Sequence, residues 1–237
     1  GTLDTVHPAV DYLFNYGNKF YLGGDIEKIT FPNHYDYNQY RLTPISAKEK
    51  FKELGWERII AFQTRNPLHR AHVEMTMRSM DSIDANLFLH PVVGLTKTGD
   101  IDYFTRVRCY KKIIRKYPKN KAMLALLPLA MRMGGPREAL LHALIRKNFG
   151  CTHIIIGRDH AGPGKNSDGK SFYEPYASQE LVQKFENEIA KLCNTKSVIC
   201  VNSWTSGMLL LLKWLKLDIT DEVIVPVYTY AASALSV

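Results

Sequence analysis

Apolar runs and helical stripes alternate along the middle of the chain. Runs that are almost wholly apolar predict buried strands, and between them apolar residues recur at the three- and four-residue spacing of an amphipathic helix. Strands this apolar are usually covered on both faces, as in a parallel sheet flanked by helices. The pattern therefore predicts an α/β fold with a doubly wound, mostly parallel sheet. The predicted strands are 58–62, 86–93, 121–129 and 152–156, and the predicted helices are 47–54, 69–80, 103–116 and 135–148.

Capping residues set the ends of these helices. Ser46 is predicted to cap the first helix, because its hydroxyl can accept a backbone N–H, and Gly55 is predicted to end it. Gly135 and Pro136 open the last of these helices, and Gly150 closes it.

The chain changes character on both sides of this region. Residues 1–45 are rich in Tyr, Pro, Asn and Gly and predict a partial β-rich remnant, with an extended piece at 20–22. After about residue 178 an amphipathic helix leads into further apolar runs, which predict an α/β fragment. We therefore expect an N-terminal remnant (1–45), a central α/β domain (46–177) and a C-terminal tail fragment (178–237). The apolar stripe of the tail helix consists of Leu181, Phe185, Ile189 and Leu192.

Composition narrows the class of protein. The chain has 237 residues, of which 46% are hydrophobic and 23% charged, as in ordinary globular domains. No apolar run approaches the length of a membrane span and no signal peptide is visible, so we expect no membrane partner. The four cysteines form no C-x-x-C pair and lie inside apolar elements. Buried, reduced thiols predict a cytoplasmic location.

The formal net charge of +8 is unevenly distributed. Residues 178–237 carry five lysines and six carboxylates, so the positive charge lies in residues 1–177. A basic front section favours an anionic ligand. The densest basic run, within 111–116, has the spacing of the solvent-facing side of a helix, so we expect no nucleic-acid partner.

A polar stretch follows the first predicted strand directly. Residues 63–72 read Gln-Thr-Arg-Asn-Pro-Leu-His-Arg-Ala-His. Pro67 fits the first turn of the next helix, and backbone N–H groups at a helix start attract anions. Arg65 adds a fixed positive charge, while His69 and His72, three residues apart, project from one helical face. The stretch predicts a polyphosphate-binding turn.

Two more polar turns follow later strands. Residues 131–139 (Met-Arg-Met-Gly-Gly-Pro-Arg-Glu-Ala) come after the third strand, and residues 157–164 (Gly-Arg-Asp-His-Ala-Gly-Pro-Gly) come after the fourth. The carboxyl ends of parallel strands lie at one edge of a sheet, so we expect the three turns to converge there. All three contain arginine and two contain histidine, which predicts an anionic nucleotide site.

Simpler interpretations remain open. Histidines at this spacing are often only surface residues, and Arg70 stands where a zinc-binding His-Glu-x-x-His pattern needs glutamate, so no metal ligands are predicted. Arg137 and Glu138 could pair with each other or with neighbours. Residues 164–171 match the phosphate-loop pattern G-x-x-x-x-G-K-[ST], but they do not link a strand directly to a helix, which favours a mobile surface loop.

Together the three turns resemble the ATP sulfurylase (sulfate adenylyltransferase) family. Its patterns Q-x-R-N-P-x-H-x-x-H, M-R-x-x-G-P-R-E-A and G-R-D-H-A-G-P-G occur here in order, and the resemblance covers about residues 4–183. It implies a sheet of the nucleotidyltransferase (Rossmann-like) type, preceded by a PUA-like β domain of which 1–45 would be the last part. It also implies that ATP and sulfate react to give adenosine 5′-phosphosulfate and pyrophosphate, with Mg²⁺ on the nucleotide.

The resemblance implies roles for individual residues. The catalytic residues would be Thr64, Arg65, Asn66, His69 and His72. The ATP-binding residues would be Gln63, Arg65, Asn66, Gly157, Arg158, Asp159 and His160. Sulfate would be held by Gln63, Arg65 and the backbone at Ala161. The family also has a later strand that helps enclose ATP, which is not recognisable here; the exposed edge predicts a homo-oligomer.

Residues 178–237 resemble the N-terminal part of the DegT/DnrJ/EryC1 aminotransferases, chiefly over 185–206 and 221–230. Where that family has a Gly-Thr turn for the phosphate of pyridoxal phosphate, Trp204 replaces the glycine and hinders close backbone approach. By the resemblance, the Schiff-base lysine lies further downstream, so we expect no pyridoxal phosphate in this chain. The tail predicts a fragment or a fusion, in which residues 197–201 could replace the unrecognised strand.

Three hypotheses follow. The first is an adenylyltransferase that uses ATP and sulfate. The second is a non-catalytic module that binds nucleotide or sulfate. The third is a fusion whose activity is a transamination completed by residues outside this chain.

Overall fold

Four parallel strands form the sheet of the protein. The structure is a computed structural model and describes residues 2–192 other than 21, 22, 26, 28, 29, 31, 32, 97 and 98. The strands are β1 (Ile59–Phe62), β2 (Asn86–Leu89), β3 (Ala122–Leu124) and β4 (His153–Ile155). Their order across the sheet is β3-β2-β1-β4, and every neighbouring pair is parallel. The predicted parallel α/β sheet is confirmed.

Helices connect and cover the strands. The α-helices are α1 (Pro8–Asp11), α2 (Pro44–Glu53), α3 (Arg70–Ser82), α4 (Tyr103–Ile113), α5 (Pro136–Asn148) and α6 (Ala177–Leu192). Shorter helical turns are a π-helical turn at Tyr12–Tyr16 and 3-10 turns at Asn38–Tyr40 and Ile114–Lys116. None of the helices in the described part of the chain is long and apolar enough to cross a membrane.

The sheet is buried on both faces, as a doubly wound fold requires. On one face Ile59 and Ala61 of β1 pack with Phe51 of α2 and with Phe149, the residue after α5. On the other face the alternate residues of β1, among them Phe62, pack with side chains from α3 and α4. Successive side chains of a strand point to opposite faces, so a strand covered on both sides is apolar throughout. This explains the unbroken apolar runs in the sequence.

The strands β2 and β3 are shorter than predicted. The sequence predicted strands over 86–93 and 121–129, but the regular ladder ends at Leu89 and Leu124. Beyond these ends the two chains stay close, with one isolated bridge between Val92 and Leu127. Pro91 and Pro128 lack a backbone N–H, so the ladder cannot continue regularly through them.

Two predicted helix starts are wrong. Thr43, not Ser46, caps α2: its hydroxyl accepts the Ser46 N–H at 3.2 Å while the Ser46 hydroxyl accepts the Thr43 N–H at 2.9 Å. Pro44 occupies the first helical position, where a missing N–H costs nothing, and this moves the start three residues earlier. Pro67 does not lie in the first turn of α3, since His69 is the N-cap and Pro67 precedes it.

The described residues before α2 form helical turns and no strand. The β-rich character predicted for 1–45 is therefore not seen in them, and residues 21 and 22 of the predicted extended piece lie outside the described residues. The predictions for 193–237, including a strand at 197–201 and the role of Trp204, also lie outside.

Gly94 lies where the segments that follow β2 and β3 approach each other most closely. A Cβ atom at this position would lie 2.3 Å from the carbonyl oxygen of Leu129 and 2.9 Å from the backbone nitrogen of Ala130. These are backbone atoms, so they cannot swing aside as a flexible side chain would. The contact aligns the segment that continues into Met131, whose N–H donates to the Leu95 carbonyl at 2.8 Å.

We expect Gly94→Ala to lower the free energy of unfolding by about 1–3 kcal/mol, because the added methyl group overpacks a backbone contact. The measurement is urea unfolding of the 237-residue chain followed by fluorescence. Gly23→Ala is the matched control, since a Cβ at Gly23 meets no atom within 4 Å. Equal unfolding midpoints for the two variants would contradict the prediction.

Candidate functional site

The three predicted polar turns meet at the carboxyl edge of the sheet. We call residues 63–69 the first turn, 131–137 the second turn and 157–164 the third turn. The first and third turns leave neighbouring strands, because Phe62 at the end of β1 pairs with Ile155 at the end of β4. The second and third turns are joined directly, because the Gly135 N–H donates to the Ala161 carbonyl at 2.9 Å.

The first turn is held by its own threonine. The Thr64 hydroxyl accepts the Asn66 N–H at 3.1 Å and donates to the Asn66 carbonyl at 2.8 Å. Asn66 itself is exposed. Gln63 is buried, and its side-chain oxygen has no hydrogen-bond partner among the described residues. The side-chain oxygen of Gln63 is therefore not used by the fold.

Arg65 forms an ion pair that the sequence did not predict. Its Nη1 atom contacts Oδ1 of Asp100, and both side chains are largely buried, 23% and 13% exposed respectively. Asp100 lies in the segment between β2 and α4. A carboxylate on one terminal nitrogen orients the guanidinium and leaves the other donors of its planar fork for an oxyanion.

Two side chains of α4 fix the carbonyls of the first turn. The Arg106 guanidinium donates to the Arg65 carbonyl at 3.0 Å and to the Val92 carbonyl at 3.1 Å. The Tyr110 hydroxyl donates to the Asn66 carbonyl at 3.0 Å. Sequence reasoning missed both residues because it assigned α4 only a packing role. A signal was present, since Arg106 lies three residues after Tyr103 and four before Tyr110, two members of the apolar stripe of α4, and so on the buried face of the helix.

His69 and His72 lie together at the start of α3, as their spacing predicted. Their ring centroids are 3.9 Å apart, and the His69 N–H donates to Nδ1 of His72 at 3.5 Å. Burial, and secondarily His69, lowers the pKa of His72 below its ordinary value. At pH 7 His72 is therefore a neutral imidazole, able both to donate and to accept a hydrogen bond.

The third turn has a tightly wound backbone. Asp159 and Ala161 both have positive φ values, 52° and 57°, which few residues adopt outside tight turns. The Asp159 N–H donates to the Pro175 carbonyl at 2.7 Å. Arg158 and Asp159 are exposed, His160 is half-buried and Ala161 is buried. The turn therefore presents Gly157, Arg158 and Asp159 outward while its far end is anchored.

The helix α6 supports the third turn. The Ser178 hydroxyl donates to the His160 carbonyl at 3.0 Å, and Nε2 of Gln179 donates to the Ile156 carbonyl at 3.2 Å. Sequence reasoning placed both residues in the tail fragment and assigned them no function. The start of the predicted tail thus contacts the site.

A buried chain of side chains links the second turn to the third. Glu138 accepts the Arg132 and Gly134 N–H groups, both at 2.9 Å, and its Oε1 lies 3.5 Å from Nε2 of His142. Nδ1 of His142 lies 3.0 Å from Nε2 of His160. Glu138 therefore pairs with the backbone of its own turn and with His142, and no contact with Arg137 is needed to explain it.

The phosphate-loop match at 164–171 is an exposed turn. Lys165 and Ser171 form an antiparallel bridge, and Asp4 accepts the Ser167 N–H at 2.8 Å. The segment does not run from a strand into a helix, so it lacks the geometry that a phosphate loop needs.

Comparison with known proteins identifies the family of the chain. Residues 38–203 match the family model described as ATP-sulfurylase, which is more than half of the chain. The chain belongs to the ATP-sulfurylase family. Proteins named sulfate adenylyltransferase from Yarrowia lipolytica, Coccidioides immitis and Kluyveromyces lactis are 59%, 58% and 58% identical to it over 78% of its length.

The match covers only part of these family members. The chain spans 32% of the Yarrowia and Coccidioides proteins and 37% of the Kluyveromyces protein. A solved structure, the hexameric APS kinase from Thiobacillus denitrificans, is similar with a TM-score of 0.50 and 40% identity, over 54% of this chain and 26% of that chain.

A second family model, the DegT/DnrJ/EryC1/StrS aminotransferase family, matches residues 174–237. This match overlaps the ATP-sulfurylase match over residues 174–203. Within the overlap, α6 contacts the third turn, and most of the remaining matched residues lie outside the described part of the chain.

The buried histidines make the stability of the fold depend on pH. Burial lowers the pKa of His160 to about 3, helped by His142 and Arg146, and burial also lowers the pKa of His142. In the unfolded chain a histidine takes up a proton near its ordinary pKa of about 6.5. Because the pKa is lower in the folded state, protons bind preferentially to the unfolded chain. The stability that neutral His160 and His142 allow is therefore fully present above pH 6.5 and is lost as pH falls toward 3.

We expect the free energy of unfolding to decrease between pH 6.5 and 4.5, and His160→Gln to reduce that slope by up to about 1.4 kcal/mol per pH unit. Urea unfolding at several pH values provides the measurement. His34→Gln is the control for loss of an imidazole outside this cluster. Parallel stability curves for wild type and His160→Gln would refute the expectation.

Proposed function

We propose that this chain provides the adenylyl-transfer site of a sulfate adenylyltransferase, which converts ATP and sulfate to adenosine 5′-phosphosulfate and pyrophosphate. The supporting observation is the meeting of three turns at one edge of the sheet, through the Phe62–Ile155 register and the Gly135–Ala161 hydrogen bond. The relatives that match 78% of the chain carry this name. The reverse direction, which consumes the phosphosulfate, uses the same site.

The reaction makes a specific demand on the site. Sulfate is a weak nucleophile, and it must approach a nucleotide that is itself anionic. One sulfate oxygen attacks the α-phosphorus in line with the departing pyrophosphate; a new P–O bond forms and the P–O bond to the β-phosphate breaks. No covalent intermediate is required, so positioning and preorganised donors are the main means of catalysis.

In this proposal the first turn contacts the reacting groups, which are sulfate and the phosphates of ATP. Arg65 holds sulfate through the donors that Asp100 leaves available, together with the side-chain N–H of Gln63 and the backbone at Ala161. Thr64 and Asn66 shape the turn, with Arg106 and Tyr110 fixing its carbonyls from beneath. The adjacent His69 and His72 donate hydrogen bonds to the phosphates as charge develops on the leaving group.

The third turn is the main nucleotide-binding part of the site in this proposal. Gly157, Arg158, Asp159 and His160 bind ATP in this proposal, with Gln63, Arg65 and Asn66 extending the contacts from the first turn. An exposed arginine on a rigid turn can grip a phosphate through its planar fork without losing much conformational freedom. The anchors from α6 and from Pro175 keep this turn in place while its polar side faces outward.

Magnesium enters with the substrate. The polar side chains of the three turns are mostly arginine, histidine and amide groups, with Asp159 as the one carboxylate, whereas Mg²⁺ prefers carboxylate and phosphate oxygens. These residues therefore fit a Mg²⁺ ion that is carried on the phosphates of ATP. The ion neutralises part of the nucleotide charge, and the arginines act on what remains.

The wider assignments stay proposals. We retain the division into 1–45, 46–177 and 178–237, a cytoplasmic setting supported by the free thiols Cys109 and Cys151, and a homo-oligomer. The match of residues 174–237 to the aminotransferase family favours an alternative, a fusion with a transaminase. An absorbance band from a bound aldehyde cofactor in the purified chain would favour that alternative.

The decisive assay is pyrophosphate release by the 237-residue chain. We expect release that depends on ATP, on sulfate and on Mg²⁺ together. Binding of ATP with no sulfate-dependent release would instead support the non-catalytic module. Absence of both ATP binding and sulfate binding would overturn the proposed function.

We expect Arg65→Ala to lower the sulfate-dependent rate by about 10²–10³, which corresponds to about 2.7–4 kcal/mol of transition-state stabilisation. The fold should persist, because the guanidinium lies at the polar edge and not in the core. Arg58→Ala is the matched control: Arg58 also forms an ion pair, with Asp84, but it precedes β1 and so lies at the opposite edge. Near-normal turnover by Arg65→Ala would refute the assignment.

A further inference from the structure

The side chains of Glu138, His142 and His160 form a row in which each contact has a defined donor and acceptor. Both carboxylate oxygens of Glu138 accept backbone N–H groups at 2.9 Å, so the carboxylate cannot rotate freely. His142 is fully buried, and its Nε2 atom makes no hydrogen bond with the described residues but lies 3.5 Å from Oε1 of Glu138, within ion-pair distance. An ionised carboxylate offers only acceptors.

This arrangement selects one tautomer of His142. If Nε2 were unprotonated, its lone pair would face a carboxylate inside the protein, where repulsion is poorly screened. Nε2 of His142 therefore carries the hydrogen. A neutral imidazole has only one N–H, so Nδ1 of His142 is an acceptor.

The tautomer of His160 follows from that of His142. Nε2 of His160 lies 3.0 Å from the acceptor Nδ1 of His142, so it must be the donor in this hydrogen bond. Burial lowers the pKa of both rings, which keeps them neutral at pH 7. Arg146, which packs below the pair and donates to the His90 carbonyl, disfavours any added positive charge.

The other nitrogen of His160 is therefore left as an acceptor. Among the described residues, Nδ1 of His160 has no hydrogen-bond partner, while the His160 carbonyl is held by the Ser178 hydroxyl at 3.0 Å. The ring is thus fixed both at its Nε2 edge and through its backbone. Its remaining lone pair can be used by a ligand.

We propose that Glu138 and His142 are positioning residues that present Nδ1 of His160 as a hydrogen-bond acceptor for a donor group of the nucleotide, either the exocyclic amine of adenine or a ribose hydroxyl. This inference rests on the proposed function, since it assumes that the third turn binds ATP. It adds two residues of α5 to the site. It also specifies that His160 accepts the hydrogen bond and that the nucleotide donates it. A ligand group that offers only acceptors, such as a phosphate oxygen, does not fit this atom.

The first test is made on the wild-type chain, and a variant is needed only to assign the signals. Nitrogen-15 NMR of the histidine-labelled chain at pH 7, with His160 assigned by comparison with His160→Gln, reports which ring nitrogen carries the hydrogen. We expect His160 with hydrogen on Nε2 and His142 with hydrogen on Nε2. Hydrogen on Nδ1 of His160 would overturn the proposal.

The second test measures ATP affinity by calorimetric titration. His142→Leu removes the acceptor for His160 at similar volume, and we expect ATP to bind about fivefold to tenfold more weakly, the usual cost of one lost hydrogen bond. His142→Asn places an amide oxygen near the former Nδ1 atom, and we expect it to restore most of the affinity. His153→Leu, on the exposed start of β4, is the control and should bind ATP as wild type does.

Nucleotide analogues identify the donor. Purine riboside triphosphate lacks the exocyclic amine, and the 2′- and 3′-deoxy forms of ATP each lack one hydroxyl. The analogue that lacks the true donor should bind wild type more weakly than ATP but should lose nothing further in His142→Leu. If every analogue loses the same additional factor in His142→Leu, the proposed contact is wrong.

The results separate this inference from the proposed function. A wild-type chain that binds no ATP refutes the proposed function. A wild-type chain that binds ATP, together with a His142→Leu variant of equal affinity, refutes only the inference. A His142→Leu chain that fails to fold leaves the tautomer measurement on the wild type to decide.

Discussion

The parallel pairing of β1 with β4 is the constraint on which the site depends. Phe62 lies beside Ile155, so the first and third turns start from adjacent strand ends although they are far apart in the sequence. A parallel pair requires a long crossover, and here the crossover includes β2, β3 and the helices between them. The second turn lies within that crossover and is brought to the same edge by the Gly135–Ala161 hydrogen bond. The register and this hydrogen bond together set the relative positions of the three turns.

Buried polar groups hold these turns in place. Arg106 donates to the carbonyls of Arg65 and Val92, and Glu138 accepts two N–H groups of the second turn. Burying a charged group costs several kcal/mol unless it is hydrogen-bonded, so each of these side chains strongly favours the backbone conformation that satisfies it. The turns are therefore held in fixed conformations, although most of their residues lie outside the regular strands and helices. Rigidity of this kind is what a reaction that relies on positioning requires.

The helix α6 connects this site with the region of mixed family resemblance. Its first residues bond to the third turn, while the aminotransferase match begins at residue 174, before the helix starts. Ser178 satisfies the His160 carbonyl in the third turn, and Gln179 satisfies the Ile156 carbonyl just after β4. Any segment that occupies this position must supply similar donors, whatever follows it in the chain. A boundary between the ATP-sulfurylase and aminotransferase resemblances is therefore compatible with the site only if Ser178 and Gln179 are retained.

The sequence alone predicted the order of the central strands and helices and a chemistry for the turns that follow the strands. Apolar runs predicted strands covered on both faces, and arginine and histidine after those strands predicted an anionic ligand, because both predictions follow from local spacing and residue type. It did not reveal the partners of those turns. The contact of Asp100 with Arg65, the support of the first turn by Arg106 and Tyr110, and the link from Glu138 through His142 to His160 all join residues from different elements. Only the tertiary structure shows which residues pair. Many polar side chains have the same local sequence preferences, and burial and strand register determine which of them come into contact.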